Sequence, residues 1–230
     1  MGLKEDLTKE VRQTFADVWD VQGVKEIPDS EDLRLNANNA KDLEAATVLY
    51  ADLDGSTNMV DKQNWSFSAE VYKAYLRCAA QIVREKGGTI TAYDGDRVMA
   101  IFTGTNKNTS AVQAALMINF AVEEIIRPAI KNQYSTDFIL KHVIGIDSSQ
   151  LHAARIGVHG DNDLVWIGRA ANYAAKLCTL SDKPIWITQA VYDALNKDVK
   201  IANGKDMWTA HIWNVMNKIN IFATTYRQSF

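Results

Sequence analysis

Two acidic segments carry the side chains best suited to chemistry. In the stretch 46–57 a short apolar run ends in Asp52 and Asp54 and continues into a Gly-Ser-Thr turn. The second segment is Asp94-Gly95-Asp96. A carboxylate that ends a buried strand is costly unless a cation or hydrogen bonds satisfy it. Asp52 alone could cap the following turn, and 94–96 alone could be only a hairpin turn. Two such sites on neighbouring strands favour a divalent metal site that holds a triphosphate.

Composition excludes several classes of function. The 230 residues are 47% hydrophobic and 23% charged, which is ordinary for a globular protein. A net charge of −3 gives no support for a surface that binds a nucleic acid polymer. Cys78 and Cys178 lack the spacing of a metal site or a disulfide framework. The first residues are charged, and no run approaches about 20 apolar residues. We therefore expect a cytoplasmic protein with no membrane partner.

Periodicity divides the chain into an N-terminal arm, residues 1–44, and a domain, residues 45–230. The arm has an amphipathic helix over about 7–19 and a polar, linker-like segment over 20–44. The domain begins with strand, helix, strand, strand, helix and strand, at about 46–54, 66–86, 89–93, 97–102, 109–127 (with Pro128 at its end) and 138–146. This order predicts an α+β fold with a ferredoxin-like βαββαβ core, an antiparallel sheet with both helices on one face.

The C-terminal extensions add a strand over 151–160, a helix over 169–180, a short strand over 185–188, a helix capped by Thr188 and a hairpin over 210–226. In the predicted sheet the first strand lies between the others, so Asp52 and Asp96 should converge. On the helix 169–180, Asn172 and Lys176 share one face, which a solvated amphipathic helix explains equally well.

Three segments together resemble one enzyme family. They are VLYADLDGST, YDGDRVMAIF and IGRAANYAAKLC, at 48–57, 93–102 and 167–178. A strand-end Asp, a Gly-Asp hairpin and a helix of the pattern Gly-x-x-x-Asn resemble the class III nucleotidyl cyclases, most closely the bacterial pyrimidine (uridylate or cytidylate) cyclases of antiphage Pycsar systems. The resemblance spans about residues 45–226.

The resemblance implies a set of site residues. Asp52 and Asp96, with the Leu53 carbonyl, would hold two divalent ions, Mn²⁺ or Mg²⁺. Backbone groups of 55–57 (Gly55, Ser56 and Thr57) would face the phosphates. Asn172 would orient the ribose.

Three further implications concern the phosphates and the assembly. Lys176 stands where the family has an arginine that stabilises the transition state, and Lys218 is a candidate contact for the γ-phosphate. The helix residues would come from a partner subunit, so the resemblance implies a head-to-tail homodimer with shared active sites.

The base would be selected by residues that differ from those of purine cyclases. The two polar positions that read a purine edge fall at Ala92 and Val165, which cannot hydrogen-bond a base. Tyr50 would narrow the pocket and Arg97 would donate to base carbonyls, which favours UTP over CTP. Tyr50 could equally be a buried strand residue, and Arg97 a solvated charge. The resemblance further implies a cyclic UMP (or cyclic CMP) signal that is sensed by a separate effector in antiphage defence.

Two alternatives remain at this point. Asp52-Leu53-Asp54-Gly55-Ser56 resembles the signature of haloacid-dehalogenase-type phosphatases, in which Asp52 would be the nucleophile and Asp54 the general acid. The other alternative is a degenerate cyclase fold that only binds nucleotide or dimerises, and Lys176 is the argument for it.

Overall fold

The computed structural model describes residues 2–35, 37–158 and 161–230. His159, in the predicted strand 151–160, lies outside them. The helices are α1 Leu3–Ala16, α2 Ser56–Lys62, α3 Trp65–Glu85, α4 Lys107–Ala121, α5 Arg127–Gln133, α6 Arg169–Leu177 and α7 Gln189–Asp193. The strands are β1 Asp20–Gly23, β2 Asn39–Asp42, β3 Ala46–Asp54, β4 Thr89–Asp94, β5 Arg97–Phe102, β6 Lys141–Ser149, β7 His152–Val158, β8 Asp161–Ile167, β9 Ile185–Thr188, β10 Ile201–Ala202, β11 Lys205–Asp206, β12 Thr209–Trp213 and β13 Ile219–Thr224.

A seven-stranded sheet forms the centre of the fold, in the order β12-β13-β9-β6-β3-β5-β4. β3 lies between β5 and β6 and is antiparallel to both, whereas β6 and β9 are parallel. The predicted α+β fold with its βαββαβ core is confirmed, as β3-α3-β4-β5-α4-β6. Element ends differ from the prediction by a few residues; for example, α6 ends at Leu177 rather than near 180.

Alternation along β3 divides the core between the two faces of this sheet. Leu49, Ala51 and Leu53 pack with α3 and α4 on one face. Val48, on the other face, belongs to a cluster with alanines of α6, and Tyr50 packs against that cluster. Gly145 of β6 lets α6 lie close to the sheet, since a Cβ there would meet the Ala174 carbonyl oxygen at 2.1 Å. The face that carries Tyr50 and Asp52 is thus the face that α6 covers.

Pro128 does not end the second long helix, contrary to the prediction. A π turn, Val122–Ile126, joins α4 to α5, and the Arg127 N–H donates to the Val122 carbonyl. The helix therefore continues to Gln133 with Pro128 inside it. By length and composition alone, Lys107–Gln133 could cross a membrane, but 67% of its most apolar window is buried inside the protein. Its packing in the core explains its apolar character.

The segment 20–44 is not the irregular linker that its composition predicts. It contributes β1 and β2 to a second sheet, in the order β1-β2-β7-β8, and Leu33 is buried. The predicted N-terminal helix is present at Leu3–Ala16 rather than 7–19, and none of its residues is buried.

Candidate active site

Asp52 and Asp96 lie at one edge of the large sheet, where β3 ends and β5 begins. Ala51 pairs with Val98, so Asp52 lies beside the hairpin that joins β4 to β5. Gly95 has a φ of 60°, which such tight turns require and glycine adopts without strain. Burial, and then the charge of Asp96, raise the pKa of Asp52 to about 6. The two carboxylates therefore converge as predicted from the topology.

The groups around the pair suit a divalent ion. Oδ2 of Asp96 is buried and has no hydrogen-bond partner among the residues that the structure describes. The Leu53 side chain is buried in the core, so this residue can offer only backbone groups. Within the described ranges no cluster of three or more His, Cys, Asp or Glu side chains could hold a metal. Mg²⁺ commonly binds one or two carboxylates together with phosphate oxygens and water, and this donor set fits that pattern.

A buried tyrosine on α3 forms a hydrogen bond to the end of β3 that carries Asp52. The Tyr75 hydroxyl on α3 donates to the backbone carbonyl of Asp52, with 3.3 Å between the oxygens, and Tyr75 is fully buried. The Cys178 thiol lies beside the same strand, 3.5 Å from the Tyr50 carbonyl oxygen. These contacts fix the end of β3, and local sequence patterns gave no signal for either of them.

Arg97 is held between two neighbours next to Asp52. It forms an ion pair with Asp94 at 2.7 Å, and its guanidinium carbon lies 5.4 Å from the centre of the Tyr50 ring. Tyr50 and Ala92 both pair with Met99, on either side of β5, and both pack against the cluster beneath α6. Three of the four predicted base-selecting residues thus share one region, with Arg97 ordered rather than freely solvated.

Gly55 begins the turn between β3 and α2. Its φ of 76° is left-handed, and α2 starts directly afterwards at Ser56 and Thr57. The first N–H groups of a helix have no partner within it and attract anions. The predicted phosphate-facing segment therefore follows immediately after the carboxylate edge.

Asn172 and Lys176 lie on the exposed face of α6. The opposite face, with Ala170 and Ala174, is buried against the sheet. The two side chains are therefore directed away from the Asp52 and Asp96 of their own chain. Lys176 Nζ lies 3.7 Å from Met216 Sδ, and Lys218 follows in the same exposed turn.

A buried ion pair that sequence reasoning missed anchors the start of α6. Asp147 of β6 is fully buried and accepts bonds from Arg169 Nε at 3.0 Å and Nη2 at 3.3 Å. The Thr188 hydroxyl also donates to Asp147. Contrary to the prediction, the Thr188 side chain forms no hydrogen bond that caps α7. An arginine three residues before Asn172 was the available signal, but nothing in the sequence identifies its partner.

Val165 lies apart from the other base-selecting candidates. It is on β8 of the small sheet with 41% of its surface exposed. Its neighbour Trp166 packs toward the cluster that includes Tyr50, so alternation directs Val165 away from that cluster. One chain therefore brings together Tyr50, Asp52, Ala92, Asp96 and Arg97, but not Val165, Asn172 or Lys176.

Comparison with known proteins places this geometry in a family. The model of the adenylate and guanylate cyclase catalytic domain matches residues 38–212. The chain belongs to this family of class III cyclases. The haloacid-dehalogenase alternative is wrong, because that family has a doubly wound parallel sheet and the strands around β3 are antiparallel.

Individual nucleotide cyclases resemble the chain along most or all of its length. A uridylate cyclase of Burkholderia cepacia is 61% identical over 227 residues, with 99% of both chains covered. A uridylate cyclase of Xanthomonas perforans is 50% identical over 99% of this chain and 98% of its own. The structure of the adenylyl cyclase CyaB from P. aeruginosa has a TM-score of 0.67 at 21% identity, over 80% of this chain and 94% of that chain. The last likeness supports the fold alone.

Proposed function

We propose that the protein is a uridylate cyclase that converts UTP to 3′,5′-cyclic UMP and pyrophosphate. The observation that carries the proposal is the convergence of Asp52 and Asp96 beside the ordered pair of Tyr50 and Arg97. One Asp96 oxygen is buried there without a hydrogen-bond partner in the described part of the chain. The uridylate cyclases to which the chain is 61% and 50% identical support the choice of nucleotide.

Asp52, Asp96 and the Leu53 carbonyl would hold two divalent ions, Mn²⁺ or Mg²⁺. When bound, the ions supply acidification of the ribose 3′-hydroxyl and charge balance on the phosphates. In the reaction the 3′-oxygen releases its proton to solvent water and bonds to the α-phosphorus. The bond from that phosphorus to the β-phosphate bridging oxygen breaks, and pyrophosphate leaves.

The phosphates are bound by backbone N–H groups and by cations. The Gly55-Ser56-Thr57 turn and the start of α2 face the triphosphate. Lys218 contacts the γ-phosphate, and Lys176 stabilises the charge that develops on the α-phosphate. A lysine supplies this charge without the planar fork of an arginine.

Tyr50 and Arg97 select uracil. The Tyr50 ring limits the pocket to a single-ring base, and Arg97 donates to a base carbonyl but cannot accept from an amine. Ala92 and Val165 offer no hydrogen bond to a purine edge. Asp94 orients the guanidinium through the 2.7 Å ion pair.

A second copy of the chain completes each site. Asn172 and Lys176 are directed away from their own carboxylates, so a head-to-tail homodimer is needed to bring Asn172 to the ribose and Val165 to the base. Two equivalent sites then form between the subunits.

Product analysis tests the proposal. The full-length protein is incubated with Mn²⁺ and each of the four nucleoside triphosphates, and the products are separated by chromatography. Cyclic UMP and an equal amount of pyrophosphate are expected from UTP, and none from the Asp52→Asn variant. Cyclic CMP as the main product would instead identify a cytidylate cyclase. Nucleotide binding without pyrophosphate release would identify the degenerate binding module and overturn the proposal.

The remaining parts of the proposal concern the cell. Residues 45–230 are the catalytic domain, and residues 1–44 are an N-terminal helix and arm whose strand β2 pairs with β7 of that domain. The protein acts in the cytoplasm, without a membrane or a nucleic acid polymer as partner. Cyclic UMP would activate a separate effector during phage infection. A rise in cyclic UMP after infection, lost in Asp52→Asn cells, is the expected observation, and unchanged levels would contradict it.

A further inference from the structure

Helix α1 exposes a complete row of apolar side chains. Leu3, Leu7, Val11 and Phe15 follow each other at intervals of four residues, with 75%, 49%, 53% and 87% of their surfaces exposed. Such a row is the ridge that packs against another helix. A contiguous apolar surface of this kind is uncommon unless a partner covers it.

The helix is attached to its own chain by a different side. Asn38 Nδ2 donates to the backbone carbonyls of Thr14 at 3.3 Å and Asp17 at 2.9 Å. A cavity between α1 and β7 is lined by Glu10, Gln13 and Thr14. Because the contacts to the body involve polar positions and the helix end, the apolar row stays available to another molecule.

The two rows beside the apolar row carry opposite charges. On one side lie Lys4, Thr8 and Arg12, and on the other Asp6 and Glu10. If two copies of α1 pair side by side about a twofold axis and run parallel, the basic row of each faces the acidic row of the other. If they run antiparallel, like rows face each other and repel. The sequence of α1 is therefore complementary to a parallel second copy.

We propose that α1 pairs in parallel with α1 of a second copy of the chain, with Leu7 and Val11 at the centre of the contact. In this pairing Lys4 lies near the partner subunit's Asp6, and Arg12 near the partner subunit's Glu10. The interface is additional to the shared active sites proposed above and does not depend on them.

The charge of α1 argues against a lipid surface as the occupant. Three basic residues are balanced by three acidic ones within Leu3–Ala16, namely Lys4, Lys9, Arg12, Glu5, Asp6 and Glu10. Helices that lie on anionic membranes are rich in Lys and Arg on their polar face. A neutral helix with oppositely charged flanks gains nothing from such a surface but pairs favourably with itself.

Disulfide trapping in the full-length protein tests both the contact and its direction. Leu7→Cys should form a disulfide-linked dimer with itself under mild oxidation, because a parallel pair places equivalent residues opposite each other. Lys9→Cys, on the far side of the same helix, is the matched control and should remain monomeric on a non-reducing gel. The unmodified chain, with its native Cys78 and Cys178, sets the background.

Three results would overturn the proposal. A yield of dimer from Leu7→Cys no higher than that from Lys9→Cys would rule out the contact. Cross-linking in a mixture of Leu7→Cys and Val11→Cys chains, where neither variant cross-links alone, would show that the pair is antiparallel. Cross-linking of Leu7→Cys only to an added vesicle of anionic lipid bearing thiol-reactive headgroups would identify a membrane contact instead.

The strength of association gives a second measure. The double variant Leu7→Asp/Val11→Asp should raise the dissociation constant for self-association at least about tenfold. Lys9→Asp should leave that constant within about twofold of the unmodified chain's. Since no residue of α1 is buried in its own chain, these variants should fold normally. Neither measurement uses UTP turnover, so cross-linking can succeed where the proposed cyclase activity fails, and the reverse.

Discussion

The carboxylate edge and the exposed face of α6 belong to the same proposed active site but are built in opposite ways. Asp52 stands on β3, and Asp96 lies in the turn just before the neighbouring strand β5. Tyr75 donates to the Asp52 carbonyl, and Arg97 lies beside Asp52. Asn172 and Lys176 stand on the exposed face of a helix whose other face is packed on the sheet, and Lys176 contacts Met216. In the proposed dimer, one chain would complete the metal-binding half of the site and present the ribose-binding half to its partner.

The largest effect on activity should come from a substitution at the carboxylate edge. Asp96→Asn removes one charge from the proposed metal site and should lower the rate of pyrophosphate release about 1000-fold or more. Asp94→Asn, two residues away, loses only the partner of Arg97 and should cost far less. Steady-state assays with UTP and Mn²⁺ compare the two. Equal losses would show that Asp96 has no special role.

Mixing inactive variants tests whether the two halves come from different chains. Asp52→Asn and Asn172→Ala are each expected to be inactive alone. When co-refolded in equal amounts, about half of the dimers are mixed and each holds one intact site, so about a quarter of wild-type activity should return. Activity that stays at the level of the separate variants would place both halves of the site within one chain.

The packing of α6 on the sheet can be disturbed without changing a residue of either half of the proposed site. Gly145→Ala would place a Cβ 2.1 Å from the Ala174 carbonyl oxygen and 2.7 Å from Leu177 Cβ. Since backbone must move, we expect a loss of about 2 kcal/mol in the free energy of unfolding, measured in urea. Gly23→Ala, where a Cβ meets nothing within 4 Å, is the control. Similar losses of stability in Gly145→Ala and Gly23→Ala would mean that α6 does not pack closely against β6.

The smallest effect is the dependence of the free energy of unfolding on pH. The pKa of Asp52 is raised from 3.8 to about 6, so the folded state disfavours its charge. Below about pH 4 Asp52 is protonated in both the folded and the unfolded state, so it does not lower the free energy of unfolding. Between pH 4 and 6 its ionisation lowers that free energy progressively, and the full loss is reached above pH 6. Because Asp52 is partly exposed, Asp52→Asn should stabilise the metal-free protein by only about 1 kcal/mol at pH 8, and not at pH 4.

Urea unfolding with a chelator present measures this difference. Asp54→Asn, on the same strand, is the matched control for removing a carboxylate. Stabilisation by Asp52→Asn that is greater at pH 4 than at pH 8 would contradict the assigned direction of the pKa shift.

The parts of the molecule that sequence predicted are those specified locally. A branched apolar run fixes β3, a Gly in a tight turn fixes the hairpin, and spacing along α6 separates Asn172 from the buried alanines. Order along the chain then sufficed for the βαββαβ core, and with it the convergence of Asp52 and Asp96.

The parts that were missed depend on partners distant in sequence. β2 is short and polar, and it becomes a strand because Ala40 pairs with Ala154 of β7. Asp147 is tolerated in the core because Arg169 and Thr188 reach it. Neither partnership leaves a local pattern. Proline disfavours helix interiors, which predicts a helix end at Pro128, but the π turn before it accommodates the ring.

That π turn also fixes how the end of the long helix is oriented. It holds one residue more than a regular helical turn, and Arg127 follows it with its Nε donating to the Leu140 carbonyl at 2.8 Å. Because the extra residue is taken up within one turn, α5 keeps the orientation that a regular helix one residue shorter would give it, and Ile130 packs on the core. Deleting one residue from 122–126 would therefore leave a regular turn with Ile130 still on the core. Inserting one more residue would instead rotate α5 by about 100° and turn Ile130 to solvent.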